Sequence, residues 1–234
     1  MTDGCTVPFL ARVVALGNAG FAVVCGGRRF LFDPFLLELP EVPENDPARL
    51  GPDDVILITH SHWDHLNVEA VGQAAARGAT VVLPQPAAVK MRRRGVEPAL
   101  RVVEPTRLGD SLRLELPGAV VTAFRTRHGE GHNSYLLETA GLRLFHDGDN
   151  EDTRLLDRAG LAYLDALMMS TWLGAGWVEF IAAVAPRHWL IMHLDEEEYE
   201  RCDRGTYFRD LCDHIPAGLR VLRPGEALDL AAAS

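Results

Sequence analysis

The first third of the chain alternates short apolar runs with glycine-rich turns, a pattern typical of β-strands. Gly26-Gly27 predicts a tight hairpin turn inside this region. A stretch rich in Pro, Glu and Asp over 40–54 predicts a surface loop, and it leads into the apolar run 55–58. We expect strands over the apolar or β-branched segments 11–16, 21–24 and 29–32.

Helical and strand patterns alternate through the rest of the chain. Asn67 is suited to cap a helix that carries Val68, Val71 and Ala75 on one face and ends at Gly78. Further helices are predicted over 86–94, 152–158, 178–185 and 196–213, the last with a break near Gly205. Further strands are predicted over 81–83, 111–116, 120–126, 134–138, 142–145, 166–169, 189–192, 219–222 and 227–230.

The order of these elements is strands, helices, strands and helices, at roughly half-chain spacing. Two such halves would pack sheet on sheet with their helices outside. No low-complexity segment or flexible linker divides them, and 234 residues suffice for one substantial hydrophobic core. We therefore expect an α/β protein with a single domain over 1–234, folded as a four-layer αββα sandwich.

The densest chemistry lies directly after the apolar run 55–58, where His60-Ser61-His62-Trp63-Asp64-His65 contains four metal-ligand side chains. Residues two apart in an extended segment point to the same side, so His60 and His62 can converge on one ion. The turn that follows can direct Asp64 and His65 toward a neighbouring position. This ordered pattern at a strand end predicts a metal site rather than a solvated loop rich in histidine.

Three other predicted strands also lead into ligand-type residues, and loops at strand ends are where a rigid scaffold usually presents chemistry. These residues are His128 after 120–124, Asp147 and Asp149 after 142–145, and His193 after 189–192. His132 lies close to His128, but His128 sits where its strand ends, whereas His132 abuts the next strand. We therefore favour His128 as the ligand and leave His132 as a substrate contact or a surface histidine.

With these residues in view, the chain resembles the metallo-β-lactamase superfamily, nearest to the branch that contains L-ascorbate-6-phosphate lactonase. The resemblance runs from about 13 to 230. In that branch a His or Gln is more usual where Asn18 stands. The matching segments are 16–21, the Asp33-Pro34 turn, the motif 60–65, Gly148-Asp149-Asn150 and Met192-His193.

The resemblance implies a dinuclear site. A first metal would be held by His60, His62 and His128. A second would be held by Asp64, His65 and His193, with the Asp149 carboxylate bridging the two. The family pattern favours Asp149 over Asp147, and Asp33 would either orient a ligating histidine or cap its own turn. We expect one or two divalent ions per chain, zinc first, with manganese or iron tolerated.

Such a site predicts a hydrolase. A metal lowers the pKa of its water from 15.7 to about 7, so no Ser or Cys nucleophile is required. The resemblance also implies that Asp64 is catalytic, orienting the water and passing its proton to the leaving group. We expect cleavage of an ester, lactone, thioester, amide or phosphodiester bond in a small substrate. The alternatives are an iron-dependent oxygen-activating enzyme, an RNA-processing nuclease and a non-catalytic metal-binding module.

The residues that would contact substrate are less well defined by the sequence. Trp63 lies inside the motif. The glycines in 170–177 could act as hinges, so that this segment forms a loop that contacts the substrate. The alternative is that the tryptophans of that segment, Trp172 and Trp177, only pack in the core or at an interface. The candidate substrate contacts are Trp63, His132, Thr171 and Trp172.

Charge and composition limit the classes of partner that we expect for this protein. The chain has 33 acidic and 23 basic residues, a net charge of −10, which argues against a nucleic-acid partner because such proteins need a basic face. We see neither a secretory signal nor an apolar run long enough to span a membrane. The four cysteines lack Cys-x-x-Cys spacing and are expected to be reduced, with pairing of Cys202 and Cys212 a minor alternative. We therefore expect a cytoplasmic protein. The sequence is compatible with a monomer or a homo-oligomer.

Overall fold

The structure is a computed structural model, and it describes residues 9–34, 42–97, 100–171 and 175–231. These residues form fourteen strands and four α-helices. The strands of the first half are β1 (Phe9–Gly17), β2 (Gly20–Cys25), β3 (Arg28–Phe32), β4 (Asp54–Leu57), β5 (Thr80–Leu83) and β6 (Leu100–Val102). Those of the second half are β7 (Ser111–Leu116), β8 (Ala119–Thr126), β9 (His132–Thr139), β10 (Leu142–His146), β11 (Ala166–Met169), β12 (His188–Ile191), β13 (Leu219–Val221) and β14 (Ala227–Ala231). The helices are α1 (Val68–Ala76), α2 (Gln85–Arg92), α3 (Trp177–Val184) and α4 (Glu196–Asp203).

The strands form two seven-stranded mixed sheets, in the orders β14-β1-β2-β3-β4-β5-β6 and β13-β12-β11-β10-β9-β8-β7. The C-terminal strand β14 returns to the first sheet, where Leu228 lies opposite Val13 of β1. Strands β3 to β6 run parallel to one another, and so do β10 to β13. Because the carboxyl ends of parallel strands share one edge of a sheet, the loops after β4, β10 and β12 emerge at such edges.

Three hydrophobic cores separate four layers, which confirms the predicted αββα sandwich. The central core joins the sheets through residues such as Phe30 of β3 and Leu144 of β10. Alternate residues of β4 serve two different cores, because Leu57 faces the other sheet while Ile56 faces α1 and α2. The third core packs α3 and α4 on the second sheet, around the fully buried Trp189. Burial on both faces explains why the central strands are continuous apolar runs.

The predicted helix over 152–158 is wrong, because that segment contains only a 3-10 turn, Thr153–Leu155. The Asp152 side chain accepts a hydrogen bond from the backbone N–H of Arg154 and also pairs with the Arg154 guanidinium at 2.8 Å. Such local side-chain bonds stabilise a turn in competition with a helix. The predicted helix over 196–213 ends at Asp203, breaks at Gly205 with φ 65°, and resumes as a 3-10 turn, Tyr207–Asp210.

Three further observations bear on the sequence-based expectations. Cys25, Cys202 and Cys212 are free thiols, so the minor alternative of a Cys202–Cys212 bond is not formed. Among the described residues, no helix combines the length and the apolar character that crossing a bilayer requires. Strand β6, which the hydrophobic pattern did not predict, has only three residues, none of them fully buried.

Candidate metal centre

The loop after β4 is anchored to both sheets before its histidines begin. Ile58 donates its backbone N–H to Val82 of the first sheet at 2.9 Å. From the second sheet, Tyr135 donates its hydroxyl to the Ile58 carbonyl at 2.8 Å, and Asn133 donates its N–H to the Thr59 carbonyl at 2.9 Å. The ligand-type residues that follow therefore start from the junction of the two sheets.

One group of donor atoms, which we call the first metal position, comes from His60, His62, His128 and Asp149, all within 4.8 Å of one another. His128 lies in the turn between β8 and β9, and its Nε2 is 3.2 Å from His62 Nδ1. His60 Nε2 and His128 Nε2 are each 3.7 Å from Asp149 Oδ2. Side chains from three separate loops thus converge on one point.

A second group, the second metal position, comes from Asp64, His65 and His193, whose donor atoms also lie within 4.8 Å of one another. His193 follows β12, and its Nε2 is 3.4 Å from Asp64 Oδ2. The Nε2 atoms of His65 and His193 lie 3.2 and 3.7 Å from Asp149 Oδ1.

Asp149 therefore faces both groups with different oxygens, Oδ2 toward the first position and Oδ1 toward the second. This is the arrangement that a bridging carboxylate requires. The structure brings together all seven side chains that the motif and the resemblance singled out, and it places His128 rather than His132, and Asp149 rather than Asp147, among them.

The cluster fits a divalent cation by its unpaired donor atoms. His60 Nε2, His65 Nε2 and Asp149 Oδ1 are buried, and none of them has a hydrogen-bond partner among the described residues. Buried polar atoms in proteins are nearly always paired, and an orphan costs about 1–3 kcal/mol. Imidazole nitrogens with carboxylate oxygens are ligands that suit zinc, manganese and iron. Cations at the two positions would supply the missing partners.

The rings of His60 and His65 are held from behind by a buried hydrogen-bond chain. The Thr59 hydroxyl donates to Asp33 Oδ2 at 2.6 Å and lies 3.0 Å from His60 Nδ1, and His65 Nδ1 lies 2.8 Å from the same Asp33 oxygen. In the tautomers that satisfy this chain, both Nδ1 atoms carry the proton. The Nε2 lone pairs of both histidines are then free to bind a metal. Of the two roles considered for Asp33, the structure supports the orientation of a histidine.

The charges of the cluster also suit a metal. Burial, together with the neighbouring histidines, lowers the pKa of His60 far below its usual range, so its ring is neutral. Burial alone would raise the pKa of Asp149, but His65 and its other histidine neighbours outweigh it and lower that pKa. A hydrogen bond with His193 holds the pKa of Asp64 below its usual range. Neutral imidazole and ionised carboxylate are the forms that bind metal ions. Burial alone would lower the pKa of His65, but Asp33 and Asp149 outweigh it and raise that pKa to about 10, so a metal at the second position would displace a proton from this ring.

Asn18, in the turn between β1 and β2, ties together two segments of the second metal position. Its Nδ2 donates to the Asp64 carbonyl at 3.0 Å, and its own carbonyl accepts the His193 N–H at 2.9 Å. Both Asn18 and His193 have left-handed backbones, with φ of 49° and 64°. Strained conformations of this kind concentrate at functional sites. In the sequence, Asn18 was notable only because it departs from the family pattern.

His132 is buried behind the cluster, and the expectation that it contacts substrate or lies at the surface is wrong. Its Nε2 accepts the backbone N–H of Asp149 at 2.9 Å, and its Nδ1 lies 2.7 Å from the Thr126 hydroxyl. Both ring nitrogens are thus occupied, and the ring has no exposed surface. The fit is close, because a Cβ on Gly148 would lie 2.5 Å from His132 Nε2. His132 holds the Asp149 backbone in place.

Two other buried groups support the end of β10. Asp147 accepts hydrogen bonds from the Ser134 hydroxyl at 3.0 Å and from the Asn150 amide at 3.1 Å, and burial raises its pKa to about 7. The His146 ring stacks on Phe32, with centroids 5.1 Å apart, and its Nε2 lies 2.7 Å from the Ala19 carbonyl. Neither residue belongs to the two ligand groups.

The remaining candidate substrate contacts are placed very differently. Trp63 lies between two candidate ligands, and 76% of it is exposed. Thr171 is buried, with its hydroxyl 3.2 Å from that of Tyr207, so this polar group is satisfied without a substrate. Trp172 lies outside the described residues. Trp177 packs in the core with its ring 6.0 Å from that of Trp189, in agreement with the packing alternative.

Sequence reasoning missed Glu151, whose Oε1 lies 2.9 Å from His128 Nδ1. The two residues are 23 positions apart, and no local pattern marks their contact. Asp149 marks this segment as a candidate for metal binding, but nothing in the sequence distinguishes the Glu151 carboxylate two positions later.

The sequence is also similar to those of known proteins. A family model described as the Beta-lactamase superfamily domain matches residues 28–197. A metal-dependent hydrolase from Rubrobacter xylanophilus is 28% identical, and the match covers 93% of this chain and 96% of that protein. A metal-dependent hydrolase from Carboxydothermus hydrogenoformans is also 28% identical, over 94% of this chain and all of the relative.

Solved structures share the architecture. A metallo hydrolase from Ignicoccus hospitalis superposes with a TM-score of 0.70 at 16% identity, covering 95% of this chain and 99% of that one. A diiron β-hydroxylase from Streptomyces venezuelae, CmlA, gives a TM-score of 0.65 at 17% identity, with 96% of this chain covering 55% of the larger protein. Such low identities show the fold alone. Since the family model matches more than half of the chain, this protein belongs to the metallo-β-lactamase superfamily.

Proposed function

We propose that this protein is a metal-dependent hydrolase that cleaves an ester, lactone, thioester, amide or phosphodiester bond of a small substrate. The observation that carries the proposal is the position of Asp149, whose two oxygens face two separate groups of histidine and carboxylate donors. Relatives that match this chain over nearly their full length are named metal-dependent hydrolases, and this supports the same reaction class. Zinc is the metal we expect, and the donor set also suits manganese and iron.

The first metal position would be held by His60, His62 and His128, the second by Asp64, His65 and His193, with Asp149 shared. Divalent cations bound there would polarise the scissile group and lower the pKa of a water to about 7. The chain itself contributes orientation, because the loops of both sheets fix the donors before substrate arrives. Asp64 is ionised and one quarter exposed, so its carboxylate can hold the attacking water and carry a proton to the leaving group.

Trp63 is our candidate for the substrate contact. An aromatic ring that is mostly exposed beside the cluster offers a flat apolar surface for the part of the substrate that does not react. Its sequence neighbours, the candidate ligand His62 and the candidate catalytic residue Asp64, would place that surface next to the scissile bond.

The proposal is tested by purification without added metal, elemental analysis, and a hydrolysis screen over lactones, thioesters, amides and phosphodiesters. We expect up to two equivalents of zinc or manganese and turnover of at least one substrate class. His62→Asn should abolish turnover and reduce the metal content, whereas His214→Asn, at an exposed histidine, should change neither. Stoichiometric iron with oxygen uptake would replace hydrolysis by the oxygen-activating alternative. Full metal content with no reaction would favour the non-catalytic module.

A further inference from the structure

Glu151 contacts the one candidate ligand that lies on a glycine-rich turn. Its Oε1 is 2.9 Å from His128 Nδ1, while Nε2 on the opposite edge of the ring is 3.2 Å from His62 and 3.7 Å from Asp149. A carboxylate that accepts the Nδ1 proton leaves the Nε2 lone pair directed at the first metal position. Glu151 therefore selects both the tautomer and the direction of the His128 ring.

The backbone of Glu151 is fixed on both sides. Its N–H donates to the Arg127 carbonyl at 2.8 Å, and its carbonyl accepts the Ala175 N–H at 3.0 Å. The first of these bonds joins Glu151 to the residue directly before His128. The Glu151 side chain therefore starts from a backbone position that is hydrogen-bonded to the neighbour of His128.

The turn leaves open space at the residue that follows His128. Gly129 follows His128 with φ 50°, and a Cβ there would approach the protein no closer than 4.0 Å, at His62 Nε2. His60 and His65, in contrast, are buried, and their Nδ1 atoms lie 3.0 and 2.8 Å from Thr59 and Asp33. Glu151 supplies for the half-buried His128 what those two residues supply for the buried histidines.

We propose that Glu151 is a positioning residue that sets the metal affinity of the first position by orienting His128. This inference rests on the proposed function, because it requires that the cluster binds metal. Removal of the hydrogen-bond partner of a ligating histidine typically weakens metal binding by about 10- to 100-fold. A merely structural ion pair at this partly exposed site would contribute little to folding and nothing to metal binding.

The test is a zinc titration of metal-free protein against a competing chromophoric chelator, for the unmodified chain, Glu151→Ala, Glu151→Gln and Glu130→Gln. We expect one stepwise dissociation constant to rise about 10- to 100-fold in Glu151→Ala. The rise should be smaller in Glu151→Gln, which keeps an oxygen acceptor but loses the charge. Glu130→Gln removes the same charge from an exposed residue two positions beyond His128, and it should bind zinc as the unmodified chain does. Long-range proton–nitrogen NMR of the zinc form should show loss of the His128 Nδ1–H signal only in Glu151→Ala.

The outcomes separate this inference from the proposed function. If the unmodified protein binds zinc and both Glu151 variants bind it equally well, the inference is wrong while the proposed function stands. If the unmodified protein binds no metal, the proposed function fails and the inference fails with it. A lowered melting temperature of the metal-free variants with unchanged affinity would show a structural role only. If Glu151→Ala does not fold, the nearly isosteric Glu151→Gln decides the question.

Discussion

The Nδ1 atom of His65 lies 2.8 Å from Asp33 Oδ2, although 32 positions separate the two residues and neither is exposed. The same carboxylate accepts the Thr59 backbone N–H at 2.7 Å through its other oxygen. Asp33 thus links the end of β3 to the loop after β4. It also directs His65 Nε2 toward Asp149.

From this contact we expect Asp33→Asn to weaken metal binding by about 10- to 100-fold. Asn adopts the left-handed backbone of Asp33, with φ 40°, at little cost, so the loss should reflect the missing charge and acceptor. Chelator competition measures the effect. Asp53→Asn, at a carboxylate that is 72% exposed, removes the same charge and should leave affinity unchanged. Equal affinities in both variants would contradict the role of Asp33.

Metal removal should lower the melting temperature. A ligand present at 100 times its dissociation constant stabilises a folded protein by about 2.7 kcal/mol. In a chain of this length, each kcal/mol corresponds to about 2–4 °C, so treatment with a chelator should lower the melting temperature by about 5–11 °C. Scanning calorimetry measures the change, and added zinc should reverse it. A melting temperature that is indifferent to chelation would argue against metal in the cluster.

Trp63→Ala should raise KM for the hydrolysed substrate about tenfold, which corresponds to about 1.4 kcal/mol of lost contact. Because 76% of Trp63 is exposed, its removal opens no core cavity, and the melting temperature and metal content should stay constant. Steady-state kinetics with the substrate found in the screen makes the measurement. A KM within twofold of the original would remove Trp63 from the substrate contacts.

The metal-free protein should lose stability as the pH falls below 6.5. Burial lowers the pKa of His132 and of His146 below the ordinary 6.5, so the unfolded chain takes up protons that the folded chain does not. As the pH falls, each of these two histidines lowers the free energy of unfolding by up to about 1.4 kcal/mol per pH unit. The pKa of Asp147, raised to about 7 by burial, acts in the opposite direction down to its ordinary 3.8 and offsets one histidine.

This pH dependence is measured by urea unfolding of chelated protein between pH 7 and 5. The neutral ring of His60 adds to the loss, because burial lowers its pKa as well. Stability that is constant or rises toward pH 5 would contradict the assignment of these buried histidines as neutral.

Asn67→Ala should destabilise the protein by about 0.5–2 kcal/mol, because Asn67 caps α1 through a 3.1 Å hydrogen bond from the Ala70 N–H. Asn67→Asp keeps the acceptor oxygen and should fold with nearly unchanged stability. Chemical denaturation distinguishes the two. An alanine variant as stable as the aspartate variant would mean that the cap contributes nothing measurable.

Much of the fold follows from local patterns. The alternation and apolar runs of β2, β3 and β7 predict strands because the period of side-chain burial is a property of the strand itself. The cap at Asn67 was predictable for the same reason, since capping involves residues three positions apart. Local patterns gave a wrong helix prediction for the segment 152–158, because the pairing of Asp152 with Arg154 competes with helix formation.

The candidate site likewise has a part that local sequence patterns predict and a part that depends on tertiary packing. The motif 60–65 already indicated a metal because its donors are adjacent in the chain, and the strand ends at 128, 149 and 193 supplied the remaining candidates. The sequence by itself therefore determined the layer architecture and the identity of the ligand-type residues. Only the tertiary structure decided that His132 is buried behind Asp149, that Asn18 joins Asp64 to His193, and that Glu151 holds His128. These contacts join residues 17 or more positions apart, and the packing of two sheets, which no local periodicity encodes, brings them together.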